Sequence, residues 1–194
     1  MSDTAEKTHW GLTEAVAALP ARWYHDPDHY DREFGAIWQR HWIYACHASA
    51  LGDKLSYRVL AVGDQKIVLL RDGDGKLRAY HNSCRHRGSL LCREQQGKLK
   101  SKLLMCPYHQ WSFAIDDGRL LRTSSAGDPE GFDKSRYGLF KLAVAEWRGC
   151  VFLHFDPDAI FDETVFDRSS ERISNYPLEQ MRVVETWSKT MACN

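Results

Sequence analysis

No run of about eighteen apolar residues, the length a bilayer-crossing helix needs, occurs anywhere in the 194-residue sequence. The opening MSDTAEKTHW is polar and carries acids, where an export signal would be basic and then apolar. The expectation is a soluble, cytoplasmic chain with no membrane partner. Neither charge is in excess, with 26 Lys and Arg against 26 Asp and Glu, so no general basic surface is available to hold a phosphate backbone. Nucleic acid is set aside as a partner. Cysteine is sparse: the residues at 46, 84, 92, 106, 150 and 193 lack the density of a disulfide-stapled secreted domain. In a reducing compartment such thiols are free to bind metal. Internal repeats and low-complexity linkers are also missing, which leaves a chain long enough to bury one core with an appended segment.

What is present divides into three stretches. Residues 1–42 form a helical N-terminal extension, in which LPARWYHDPDHYDREFGAIWQRHW predicts an amphipathic helix of about four turns. Asp26 is placed to cap it, Pro27 suits its first turn, and Tyr30, Phe34, Ile37, Trp38 and Trp42 recur at helical spacing. Residues 43–156 read as β, through KLSYRVLAV, KIVLLRDGDGKLRAYHN, SKLLMC, WSFAIDDGRLLR and FKLAVAEWRGCVFLHF. Asp72-Gly73-Asp74-Gly75 and Asp116-Asp117-Gly118 are hairpin connections. Such a series predicts a mainly β fold, a small antiparallel sandwich or barrel. Residues 157–194 form a short mixed α/β segment, with a helical piece around 163–175, a turn at Tyr176-Pro177, and a strand-like RVVETWSKTM.

The chemistry concentrates in NSCRHRGSLLC, residues 82–92, and MCPYHQW, residues 105–111. Each follows a β run, so Cys84 with His86 and Cys106 with His109 fall on loop tips that can face one another. Zinc sites usually separate ligands within a loop by two to four residues, so that both side chains converge on one tetrahedral metal. A single residue separates Cys84 from His86, which makes that convergence awkward. Two metals side by side remove the difficulty, with the cysteines on one and the histidines on the other. Thiolate suits ferric-sulfide chemistry, and neutral imidazole leaves less negative charge on its iron, which becomes the easier one to reduce. A zinc-stabilised interaction module remains the alternative at this level.

CRHRG at 84–88 with CPYHQW at 106–111 resembles the Rieske [2Fe-2S] motif, Cys-x-His then Cys-x-x-His. More narrowly, with the LP, DP and IW.R.W features before it and YGLFKLAVAEWRGCVFLHF after it, the chain resembles the large (alpha) subunit of Rieske non-haem iron oxygenases, the ring-hydroxylating dioxygenase family. The resemblance implies a Rieske domain over 43–156 and Cys84, His86, Cys106 and His109 as ligands of the [2Fe-2S] cluster. It implies an electron-transfer role, from a reductase or ferredoxin to a mononuclear Fe(II) that activates dioxygen, in a homo-oligomer, commonly a trimer. That second iron belongs to a catalytic domain that this chain is expected to lack, with 157–194 the start of the connection to it. The chain alone is therefore not expected to oxygenate a substrate. A stand-alone Rieske electron carrier is the other functional reading. Two departures matter. Gln110 replaces the Gly that usually follows the second histidine, which bears on a tight turn. Ser89 and Tyr108 occupy the places where Rieske proteins of respiratory complexes carry a bracing disulfide, so no such brace can form.

The remaining candidates take structural readings. His81 is expected to be a strand residue at a sheet edge, and Cys92, Cys46, Cys150 and Cys193 to be small buried hydrophobes. His25, His29, His41, His47 and His154 are treated alike. Trp111 either shields the cluster or fills the core, and Arg85 and Arg87 form a solvated loop charge or a basic rim for an acidic partner.

Overall fold

The computed structural model describes residues 17–123, 127, 128 and 130–189, of which 167–169 by backbone alone. In chain order the strands are β1 (Ile43–His47), β2 (Ser56–Val62), β3 (Gln65–Arg71), β4 (Leu77–His81), β5 (Gln96–Lys98), β6 (Leu103–Met105), β7 (Ser112–Ala114), β8 (Leu120–Arg122), β9 (Lys141–Trp147) and β10 (Cys150–His154). Seven form a curled antiparallel sheet in the order β1-β10-β9-β4-β3-β2-β5, and the other three form a small sheet, β6-β7-β8. The mainly β expectation holds.

Strand β3 explains how the two sheets share one body. Its run Ile67-Val68-Leu69-Leu70 is fully buried, because successive side chains point to opposite faces and both faces are covered. Ile67 and Leu69 enter a core inside the curl with Cys46, Leu51, Ala79, Leu142, Val151 and Leu153. Val68 and Leu70 enter a second core with Tyr80, Leu104, Phe113, Ile115 and Leu120, where the small sheet packs on the large one. Cys84, Cys92, Cys106 and Trp111 belong to this second core.

The hairpin readings stand. Between β3 and β4, buried Asp72 accepts from the backbone N–H groups of Asp74 and Lys76, each at 2.9 Å, and pairs with Arg78 at 3.0 Å. At the β7–β8 connection Gly118 has φ 74°, and a Cβ there would lie 2.7 Å from the Tyr80 ring, so only glycine fits. The strand strings of the sequence reading did not single out β1 or β5.

The N-terminal helix is a partial departure. Asp26 caps it as expected, accepting from Asp28 N at 3.0 Å, and Pro27 opens α1 (Pro27–Glu33). The helix then widens into a π turn over Phe34–Trp38 and stops short of Trp42. Tertiary contacts claim both ends of this stretch. Phe34 lies edge-on to Phe155 and over Gly63, while Trp42 packs on His154 and Phe161 and donates to the Ile160 carbonyl at 3.2 Å. Its apolar face is only partly covered, with Tyr30, Ile37 and Trp38 exposed.

The tail gives one confirmation and one correction. A 3-10 turn (Glu163–Phe166) and α2 (Asp167–Arg172) occupy the expected helical piece, followed by a turn through Tyr176 and Pro177. The strand-like run is not a strand over residues 182–189; its last two positions and Cys193 lie outside the described residues. A strand needs a ladder partner, and the backbone here offers Val183 N–H only to the Ser49 hydroxyl, at 3.4 Å. The preceding turn is held instead by side chains: His47 Nε2 donates to the Leu178 carbonyl at 2.9 Å, and Arg148 donates to the Glu179 carboxylate and the Tyr176 carbonyl, each at 2.8 Å. Among the described residues no helix is long and apolar enough to cross a membrane.

Candidate metal centre

Two loops carry the Cys-His pairs, and they are built alike. In the first, Cys84 N–H donates to the Ser89 carbonyl and Gly88 N–H to the Cys84 carbonyl, both at 2.9 Å. In the second, Cys106 N–H donates to the Trp111 carbonyl at 2.7 Å and Gln110 N–H to the Cys106 carbonyl at 3.0 Å. The fourth residue after each cysteine turns the chain with positive φ, 70° at Gly88 and 60° at Gln110. Gln110 thus takes the left-handed conformation that its loop requires, and the turn is kept despite the side chain. That conformation costs a non-glycine residue roughly 1–2 kcal/mol.

The shared turn buries both cysteines, Cys84 at 3% and Cys106 at 2% exposure, and aims both histidines outward, His86 exposed and His109 half-buried. Each type meets its counterpart: the Cys84 and Cys106 thiols are neighbours, and so are the two imidazoles. His86 Nδ1 and His109 Nδ1 face each other at 3.1 Å. Two imidazoles on one tetrahedral metal at about 2.1 Å would hold their nitrogens about 3.4 Å apart, so the observed spacing fits a shared metal with little movement. Burial and the neighbouring Cys106 push the Cys84 thiol up to about 11, opposed by the backbone N–H groups of His86 and Arg87, which point at its sulfur. Those donors suit a thiolate held by a metal, since they stabilise negative charge on sulfur. Burial and then the nearby His109 and Arg87 hold the His86 imidazole below its ordinary range, in the neutral form a metal ligand needs.

Two buried sulfurs beside two outward imidazoles are four donors that could hold a two-metal cluster. Among the described residues no three His, Cys, Asp or Glu side chains converge on one point, so the donors stand as a thiol pair and an imidazole pair. The neighbours divide between packing and support. The Trp111 indole stacks on His86 with centroids 4.8 Å apart and planes 9° apart, while its edges meet Phe132 and Tyr137. It therefore fills the core and covers one face of His86. Arg85 is no free charge, since its guanidinium lies 3.8 Å over Phe140 and donates to the Gly138 carbonyl at 3.3 Å. Arg87 is exposed. His81 ends β4, between β3 and β9 rather than at a sheet edge, and packs on Phe140 and Phe155. Burial raises the Cys92 thiol to about 12, which makes it an inert core group.

One supporting residue escaped the sequence reading. Asn82 is 0% exposed; its Nδ2 donates to the Cys92 carbonyl at 2.7 Å, and its Oδ1 accepts from Cys92 N at 2.9 Å and Leu91 N at 3.2 Å. Its only sequence signal is an Asn at the exit of a strand, which ordinarily marks a turn.

A family model described as the Rieske [2Fe-2S] domain covers residues 41–132. The chain is 36% identical over 135 residues to the anthranilate 1,2-dioxygenase large subunit of Acinetobacter baylyi, covering 69% of this chain and 28% of that protein. It is 35% identical over 147 residues to the glycine betaine monooxygenase oxygenase subunit of Chromohalobacter salexigens, covering 75% of this chain and 32% of that protein. A solved quaternary ammonium Rieske monooxygenase in complex with L-carnitine superposes with a TM-score of 0.73 and 32% identity, over 81% of this chain and 44% of that one. The chain thus spans less than half the length of each of these relatives. With its paired Cys-His loops, the chain carries a Rieske [2Fe-2S] domain, and the relatives it resembles over part of their length are named as large or oxygenase subunits.

Proposed function

We propose that Cys84 and Cys106 bind one iron of a [2Fe-2S] cluster and His86 and His109 the other, and that the chain relays electrons within an oxygenase. One observation carries the reading: the same two loops bring together two buried thiols and two outward imidazoles, the latter with Nδ1 atoms 3.1 Å apart. When bound, the cluster supplies one-electron transfer, with the histidine-held iron the more easily reduced. This chain's residues do the rest. His86 and His109 carry the path to the surface, Trp111 and the second core exclude water from the sulfurs, and the N–H groups of His86 and Arg87 offset thiolate charge. Exposed Arg87 leaves a cation beside the exit, where an acidic donor could dock.

In the complete oxygenase the electrons would come from a reductase or ferredoxin and pass to a mononuclear Fe(II) that activates dioxygen, in a cytoplasmic homo-oligomer, commonly a trimer. The division into residues 1–42, 43–156 and 157–194 belongs to this proposal, the last stretch leading toward a catalytic domain. Similarity to oxygenase subunits over 69–75% of the chain, more than the Rieske domain model covers, favours this over a stand-alone carrier. The test is anaerobic purification with iron, sulfide and zinc measured on one sample, followed by electron paramagnetic resonance after reduction. Two irons, two sulfides and a Rieske-type spectrum are expected; bound zinc without sulfide would overturn the reading.

A further inference from the structure

The two loops share a turn but not a foundation. The second is a hairpin, closed directly beneath its ends by the β6–β7 pair Met105↔Ser112. The first leaves β4 at His81 and meets no strand again until Gln96, and neither loop has a bracing disulfide. We infer that Asn82 is the brace of the first loop, a positioning residue whose buried carboxamide fixes where Cys84 and His86 are held. The inference rests on the functional reading above.

The carboxamide bonds both the N–H and the C=O of Cys92, as a neighbouring strand would, and takes Leu91 N–H on the same oxygen. It therefore ties residues 91 and 92 back to the strand exit, closing the loop at its base. Asn82 is itself anchored, since its N–H donates to the Lys66 carbonyl of β3 at 2.8 Å. The chain of support runs from the buried strand β3 through one side chain to the ligand loop. A side chain of equal size without the amide would leave two N–H groups and a carbonyl unpaired where Asn82 is 0% exposed, and water could reach them only by opening the loop. Asn offers a donor and an acceptor on one planar group, which this pairing needs.

The test uses the iron-loaded full chain and compares Asn82→Ala, Asn82→Asp and a control, Tyr80→Phe. The control removes the Tyr80 hydroxyl bond to the Ile115 carbonyl in the same core but touches neither loop. The readouts are the resonance spectrum of the reduced cluster and the rate of iron loss to a ferrous chelator. Asn82→Ala is expected to lose iron at least ten-fold faster than wild type and to show altered g-values. Asn82→Asp, which keeps the two acceptor bonds, should be altered less, and Tyr80→Phe should match wild type. Should Asn82→Ala not accumulate, Asn82→Asp decides alone: a changed spectrum supports the brace, and a wild-type spectrum and rate overturn it. Equal acceleration in Asn82→Ala and Tyr80→Phe would also overturn it, by assigning Asn82 to general stability. A wild-type chain without a two-iron spectrum sinks the functional reading and the brace with it; a wild-type spectrum unchanged in every variant sinks the brace alone.

Discussion

The loops at 84–89 and 106–111 reach one geometry by two routes. The second is held by sheet hydrogen bonds and by Phe113, which is 0% exposed on β7 opposite Leu104. The first depends on one carboxamide and on the hairpin that delivers β4 to it. A loop built on a ladder inherits the cooperativity of the sheet, whereas a loop tied by a side chain can be released by a single substitution. The comparison teaches that equal ligand geometry need not mean equal robustness.

The strongest way to break it is to undermine the sheet-held loop. Phe113→Ala should cost about 3–5 kcal/mol of unfolding free energy in urea titrations, because the ring is fully buried between the sheets. A loss below 1 kcal/mol would show that β7 does not support the second loop. Next comes the turn of the first loop. Gly88 has φ 70°, and nothing crowds a Cβ there beyond the Ser83 hydroxyl at 3.9 Å. Gly88→Ala should therefore cost only the backbone strain, roughly 1–2 kcal/mol by the same titration.

A pH-dependent effect follows from Asp72, which closes the hairpin that feeds the first loop. Burial would raise its carboxyl, but the Arg78 guanidinium and the N–H groups of Lys76 and Asp74 outweigh that and hold it below the ordinary range. A depressed carboxyl contributes stability that is fully present above the unfolded value of about 3.9 and is lost as pH falls through the lower folded value. Asp72→Asn should accordingly be less stable than wild type by about 1 kcal/mol at neutral pH, since charge-assisted bonds give way to neutral ones. The gap should close progressively below about pH 4; a gap constant down to acid unfolding would refute the assignment. The smallest effect sharpens the comparison of turns. Gln110→Gly should stabilise by up to about 1 kcal/mol, less than the strain it relieves, because glycine also loosens the unfolded chain. Thermal unfolding with and without the substitution would measure it.

Legibility followed range along the chain. The Asp26 cap, the Asp72–Gly75 turn and the spacing of Cys84 with His86 and of Cys106 with His109 depend on a few neighbouring residues, and all could be read in order. Readings that needed a distant partner fared worse. Trp42 has helical spacing but is taken by Phe161 and the Ile160 carbonyl, and residues 182–189 carry strand composition without a strand to pair with. Asn82 was invisible for the same reason, since its partners at 91 and 92 become neighbours only when the loop closes.

The sequence alone determined which donors each loop presents and how each loop turns, because those are matters of side-chain type and local backbone geometry. It marked β3 as a strand as well, through a β-rich run, while its burial on both faces came from the fold. Only the tertiary structure decided that the loops meet, that sulfur faces in and imidazole faces out, and that Asn82 ties the base of the first loop to residues 91 and 92. Those outcomes depend on how β4 and the β6–β7 hairpin pack on β3, and packing is settled by contacts between residues far apart in the chain.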